Sequence, residues 1–394
     1  MGRTSAFLLM GMLLGANVVG AATLRVGPGR DFATVRAAAQ ACGDGDVIEI
    51  DSGIYRQDVV TWNRRDLTVR GVGPTRPHLR ADGVHEAGKG IWIVNGANFT
   101  VEGVEFSGAS VPDQNGAAIR IDGGAGLTVR DCYIHDNENG ILAGENGSSD
   151  IIVENSEFSQ NGYGDGYTHN MYIGKVRSFS LIASYAHHAK IGHNVKSRAE
   201  KNYILYNRIM DENTGTSSYV IDLPNGGESY IIGNNIQQGV NTENSTIISY
   251  GAEGLISRIN ELYVINNTCI NDRGDGQFIY TRAGATVSVL NNIFSGGGTV
   301  LSGPGSLSNN IVTDNAGLVD RGGFDYQLTD SSPAINAGTE PGVANGFSLR
   351  PTEQYVHKAQ TSGRPVAGAL DVGAYEYSAE GLAPSPPTGV RLLP

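Results

Sequence analysis

Three short segments concentrate the side chains able to do chemistry: Thr168-His-Asn-Met-Tyr-Ile-Gly174, Ala186-His-His-Ala-Lys-Ile-Gly-His-Asn-Val-Lys-Ser-Arg198 and Ser217-Ser-Tyr-Val-Ile-Asp-Leu-Pro-Asn-Gly226. Aligning Met171 with Val195 sets His169 over His193, Asn170 over Asn194 and Tyr172 over Lys196, and it brings Gly174 beside Arg198. Read as strands, the two segments turn Met171, Ile173 and Val195 inward and Asn170, Tyr172, Asn194, Lys196 and Arg198 outward. In the third segment Tyr219 and Ile221 read as inward, leaving Asp222 outward near the same patch. Stacked strands lie about 4.8 Å apart, so the outward groups would be contiguous.

Such a face suits proton abstraction beside a carboxylate. β-Elimination from a uronate needs a cation or amide on the carboxylate, a base for the C5 proton and an acid for the leaving oxygen. Arg198 can hold a carboxylate in a fork, assisted by Asn170 or Asn194. Lys196 or one of His169 and His193 can serve as base, and Tyr172 as acid or base. The two histidines have inward parity, which places them at a sheet edge or in a hydrogen-bonded, half-buried position. His188 and Lys190, in the turn that precedes the strand of the second segment, and Asp222 are candidates for holding substrate. Epimerisation begins with the same abstraction, and a carboxylate pair drawn from Asp165, Asp211 and Asp222 would serve hydrolysis instead. His187, His188 and His193 match no established ligand spacing, so no metal or other cofactor is expected.

These segments belong to a longer repeat. Val101-Glu-Gly-Val-Glu-Phe106, Val129-Arg-Asp-Cys-Tyr-Ile134, Val153-Glu-Asn-Ser-Glu-Phe158, Leu205-Tyr-Asn-Arg-Ile-Met210, Val264-Ile-Asn-Asn-Thr-Cys269 and Val289-Leu-Asn-Asn-Ile-Phe294 share one template, with weaker copies from Leu181, Ile232 and Leu307. Units of this length cannot bury an apolar face alone and must stack. Their apolar runs are short and end at Gly, Asn or Asp, which reads as strands. An all-β parallel solenoid follows. The Asn that recurs third in the template (Asn155, Asn207, Asn234, Asn266, Asn291, Asn309) fits a corner, where Asn tolerates left-handed backbone and stacked amides can form a ladder.

Composition agrees. Gly supplies 55 of 394 residues and 40% are apolar, which suits many short strands joined by tight turns rather than helix bundles or disorder. The three cysteines, Cys42, Cys132 and Cys269, are too far apart for a disulfide scaffold, and buried thiols are expected at Cys132 and Cys269. A net charge of −12 argues against nucleic acid or an anionic membrane as partner. Against that background Lys175, Arg177, Lys190, Lys196, Arg198 and Lys201 form a basic run with Glu200 its one acid. An acidic polysaccharide is the partner such a patch would suit, with the chain acting as a monomer. Residues 1–22 have a secretory pattern: Arg3, an apolar stretch over Phe7–Val19 and the small-residue site Val19-Gly20-Ala21. A secreted or periplasmic location is expected, with a solenoid domain over 23–377 and a flexible Pro/Ser-rich tail over 378–394.

The rungs resemble the pectin-lyase-like right-handed parallel β-helix superfamily over essentially the whole mature chain. Asp31-Phe-Ala-Thr-Val-Arg-Ala-Ala-Ala-Gln-Ala-Cys-Gly43 looks like its short N-terminal capping helix, with Phe32, Val35, Ala38 and Ala39 on one face. Ser332-Pro-Ala-Ile-Asn-Ala-Gly338 and Asp371-Val-Gly-Ala-Tyr-Glu376 look like the closing motifs of exported members. The resemblance implies a right-handed coil and a polysaccharide lyase, with hexuronate epimerases, glycosidases and pure binding proteins on the same fold. The Asp-rich calcium turns of pectate lyases are not evident, and neither is the paired-Asp constellation of polygalacturonases.

Overall fold

The computed structural model describes residues 20–365 and 367–378. The export segment expected over 1–22 and the tail expected over 378–394 fall almost wholly outside them. Among the described residues no helix is long and apolar enough to cross a membrane.

Three parallel sheets of twelve, eleven and ten strands form the walls of the solenoid. Each rung visits them in turn, as Val47–Asp51, Ile54–Arg56 and Val60–Trp62 do at the start. The repeat exists because one inward position per strand is apolar and meets its equivalent a rung away. On the first sheet Val101, Val129, Val153, Leu181, Ile204, Ile231, Val264 and Val289 are in register and buried. Burying each such side chain contributes about 1.5–3 kcal/mol. Near the N-terminal end the filling is aromatic, with Trp62, Trp92, Phe99 and Phe106 ring against ring. Here the helix Val35–Ala41, capped by Thr34, buries Val35 and Ala38. All three cysteines are buried free thiols.

The first corner explains the recurrent Asn, with one correction. A residue in the left-handed region closes the first-sheet strand of successive rungs: Asp131, Asn155, Ala183, Tyr206, Gly233, Asn266 and Asn291. From Asn155 on, the residue after it faces inward and forms the ladder Ser156, Ser184, Asn207, Asn234, Asn267 and Asn292, which Asn310, after left-handed Asn309, completes. The six asparagines grouped in sequence therefore occupy two adjacent columns. Asn207 and Asn234 belong to the ladder, because Tyr206 and Gly233 take the left-handed turn in their rungs. Asn234 Oδ1 accepts from the Asn207 backbone N–H at 2.8 Å and from its amide at 3.0 Å, while Asn234 Nδ2 donates to Ile204 O and Asn267 Oδ1. Replacing Asn234 by Ala strands several buried partners and is expected to cost about 2–4 kcal/mol in urea unfolding. Asn310→Ala, at the half-buried end of the ladder, should cost a fraction of that.

The parallel rungs end at Ile311–Val312. The remaining chain folds back as three two-stranded hairpins, within Leu318–Leu328, Val343–Ser348 and Glu353–Gly363. The two closing motifs bind each other: Asp371 Oδ1 accepts from Asn336 N, and Val372 N donates to Ala334 O. They dock on the first corner through Asn266 Nδ2 to Asp371 O and Gly373 N to Asn291 O. This strap covers outer parts of the first and second sheets, burying Tyr206, Tyr230 and Leu349 in one cluster and Tyr185, Met210 and Tyr326 in another.

Candidate active site

The outer column of the third sheet carries the chemistry. Tyr172 of Met171–Ile173 pairs with Lys196 of Val195–Ser197, which pairs with Asp222 of Ile221–Leu223. Inward neighbours Met171, Ile173, Val195 and Ile221 anchor these strands in the core. Lys196 Nζ lies 3.3 Å from Asp222 Oδ2 and 5.9 Å from the Tyr172 ring centroid. Arg198, at the strand end, donates from Nε to Tyr172 Oη at 2.9 Å and from Nη1 to Asn225 Oδ1 at 2.5 Å.

Two side by side cations demand an anion, and Glu253 supplies it. One carboxylate oxygen is 3.4 Å from Lys196 Nζ and the other 2.8 Å from Arg198 Nη1. Glu253 sits on a turn stacked on the preceding rung, with its N–H donating to Pro224 O. Its side chain is 49% exposed, against 11% for Lys196 and 3% for Asp222. The Arg198 hydrogen bond holds the Glu253 carboxyl below its usual range. Burial pushes Asp222 the other way, above its usual value, with Lys196 opposing. Asp222 Oδ1 is buried with no hydrogen-bond partner.

His169 and His193 stack ring on ring at 4.6 Å, and His169 also lies against Tyr172 at 5.7 Å. Both are nearly fully buried. Burial first, then the nearby Lys196 and Arg198 charges, pushes His169 down to about 3; burial first, then His169 and Lys196, pushes His193 lower than usual. Each Nδ1 accepts a main-chain N–H from the next rung, His193 N at 3.0 Å and Tyr219 N at 3.1 Å. The neutral rings therefore carry their proton on Nε2. The expectation that either acts as base is corrected, because the lone pair a base needs is already bound; they are positioning residues for Tyr172 and Asp222. Tyr219, expected inward, instead lies outside against His193 at 5.1 Å.

Asn170 and Asn194 do not face substrate. Both are fully buried in an amide row at the second corner: Asn161 Nδ2 donates to Asn170 Oδ1, Asn170 Nδ2 to Asn194 Oδ1, and Asn194 Nδ2 to Asp211 Oδ1. The strand begins only at Met171, so alternation does not extend back across the corner. His188 and Lys190 also stay at that corner. His188 closes the second-sheet strand Tyr185–His187 in the left-handed region, which leaves its ring with His187 and Thr214, and Lys190 pairs with Asp136. The basic run is dispersed likewise, through Lys175–Glu200, Arg177–Asp150 and Lys201–Glu228. Sequence reasoning missed Glu253 and Asn225; the unpaired Lys196 and Arg198 were the signal that an acid had to be found.

The histidine pair makes stability pH-dependent. Their folded-state values lie below the unfolded 6.5, so between about 3 and 6.5 the unfolded chain binds more protons and stability falls as pH falls. For His169 the loss is about 2 kcal/mol at pH 5, and His193 adds to it in the same direction. A His169→Gln/His193→Gln variant, which keeps acceptors for the two N–H groups, is expected to show a flatter decline of urea midpoint over this range.

Comparison with known proteins agrees with the architecture. The model of the right-handed β-helix region matches residues 63–236. The crystal structure of pectate lyase Pel9A superposes with a TM-score of 0.61 at 16% identity, covering 91% of this chain and 98% of that one. A protein of Geobacillus virus E2, ORF18, aligns with a TM-score of 0.42 at 13% identity over 69% of this chain and 54% of its own. No curated protein sequence matches. The chain is thus a right-handed parallel β-helix that shares its fold with pectate lyase Pel9A.

Proposed function

We propose that the Tyr172–Lys196–Arg198 face binds a uronate-bearing polysaccharide and cleaves it by β-elimination. The observation that carries this reading is the Glu253 bridge: Lys196 and Arg198 are spaced to grip one carboxylate by both oxygens. Glu253 is half exposed and turn-borne, so a substrate carboxylate can take its seat. The two cations would then stabilise the charge that develops as the C5 proton leaves. The C5 proton passes to Tyr172 Oη as that hydroxyl delivers its own hydrogen to the departing O4, so the C4–O bond breaks, a C4=C5 double bond forms and Tyr172 ends unchanged. Tyr172 Oη, which accepts from Arg198 and so keeps its own hydrogen free for a ligand, is assigned the proton transfer. Exposed Tyr163 and Tyr167, in the loop leading to this strand, offer rings for sugar stacking. Pectate lyase Pel9A, named for the same class of reaction, supports the reading by fold alone. The secretory pattern of residues 1–22 supports an exported protein.

The direct test incubates the full chain with a panel of uronate polysaccharides and follows ultraviolet absorbance of the unsaturated product. Tyr172→Phe, with an unchanged melting curve, is expected to lower the rate by about 100-fold or more. Equal rates would remove Tyr172 from the chemistry. One observation favours a second reading, hydrolysis: Asp222 is shifted up and Glu253 down, the split seen in acid–base carboxylate pairs. New reducing ends without absorbance would select it.

A further inference from the structure

On the second sheet, away from the Tyr172 face, three side chains from three successive rungs converge. His78 of His78–Arg80 is in register with Glu105 of Glu105–Ser107, and Tyr133–His135 follows one rung on. Their inward neighbours Leu79, Phe106 and Ile134 are fully buried, which fixes the outward direction of all three. His78 Nδ1 lies 3.5 Å and His135 Nε2 3.1 Å from the same oxygen, Glu105 Oε1. One donor atom from each residue falls within 4.8 Å of the others.

The other ring nitrogens are also engaged. His78 Nε2 meets Ser107 Oγ at 2.7 Å, and His135 Nδ1 meets Asp136 Oδ2 at 2.8 Å. The Tyr133 ring stacks on His135 at 4.2 Å and limits its rotation. Metal-binding imidazoles have this outer arrangement, in which a carboxylate or hydroxyl orients the ring and presents the remaining nitrogen to the ion.

We propose that His78, Glu105 and His135 form a binding site for a divalent transition metal of the zinc class. Two imidazoles and one carboxylate suit zinc, whereas calcium and magnesium favour all-oxygen shells. Around tetrahedral zinc, ligand atoms stand about 3.3–3.5 Å apart, so a small closing of the triangle completes the shell. The three side chains are 18%, 28% and 16% exposed, which leaves a fourth position facing solvent for water or a ligand oxygen. Bound there, the ion clamps three rungs across their outer face. Nothing in this site depends on the chemistry assigned to Tyr172, Lys196 and Arg198.

The test uses the untagged full chain, stripped of metal and titrated with Zn²⁺, with Ca²⁺ in parallel and Co²⁺ as spectroscopic probe. A single site of micromolar or tighter affinity is expected, with the intense visible bands of a tetrahedral cobalt centre and no competition by Ca²⁺. Asp136→Asn should weaken binding about 10- to 100-fold. His78→Ala/His135→Ala should abolish it, and Glu105→Gln, which keeps shape, serves the same purpose where the double variant does not fold. The proposal is overturned by absence of Zn²⁺ binding, by an all-oxygen octahedral cobalt spectrum, or by undiminished affinity in a folded double variant or in Glu105→Gln.

Discussion

Arg198→Ala is expected to lower kcat/KM on a uronate polysaccharide by about 100- to 1000-fold, with little loss of stability. The guanidinium makes three connections at once: Nε to Tyr172 Oη, and Nη1 to both Asn225 and Glu253. Removing it takes away one half of the carboxylate seat and the hydrogen bond that orients Tyr172. Arg198→Lys should rescue little, because an ammonium cannot reach Tyr172 and the carboxylate together. Glu253→Gln should act oppositely and lower KM, since the substrate carboxylate no longer competes with a resident anion. Steady-state rates on one acidic polysaccharide check all three. Undiminished turnover in a folded Arg198→Ala protein would move the reaction to another face.

Lys196→Met is expected to destabilise the protein by about 3–5 kcal/mol, read from urea unfolding at neutral pH. Asp222 is 3% exposed at its side chain, its Oδ1 lacks a partner, and Lys196 is the cation that opposes its burial. Without that cation the carboxyl value rises further. A raised folded-state value means the native chain binds more protons than the unfolded one, so stability is lost as pH rises through it. The variant should therefore approach wild type in acid and fall behind towards neutrality. Adding Asp222→Asn should return most of the stability at neutral pH without returning turnover. A cost below about 1 kcal/mol would show that Asp222 is uncharged beside Lys196.

The residues that were legible in sequence are those governed by period. Tyr172 over Lys196 and His169 over His193 follow from a repeat of whole rungs, and Asp222 from the next one. What failed did so at corners. Alternation assigned Asn170 and Asn194 to the surface, but it holds only within a strand, and the chain bends just before Met171. The same bend keeps His188 and Lys190 with the second sheet. Glu253 was invisible because it reaches Lys196 across 57 positions from a turn without repeat character. His78, Glu105 and His135 were overlooked for a related reason: each sits in a different rung, and only the register sets them side by side.

The strap has a consequence for how the molecule must be assembled. Rungs join residues some two dozen positions apart, whereas Asn155 meets Ala359 across 204 positions and Tyr206 meets Thr352 across 146. In a chain that emerges with its N-terminus first, the coil can wind progressively, each turn templating the next. The hydrophobic flanks around Tyr185, Tyr206 and Tyr230 stay wet until the last segment arrives. A chain cut short near residue 312 would thus keep a wound coil with greasy sides, prone to stick to its own kind.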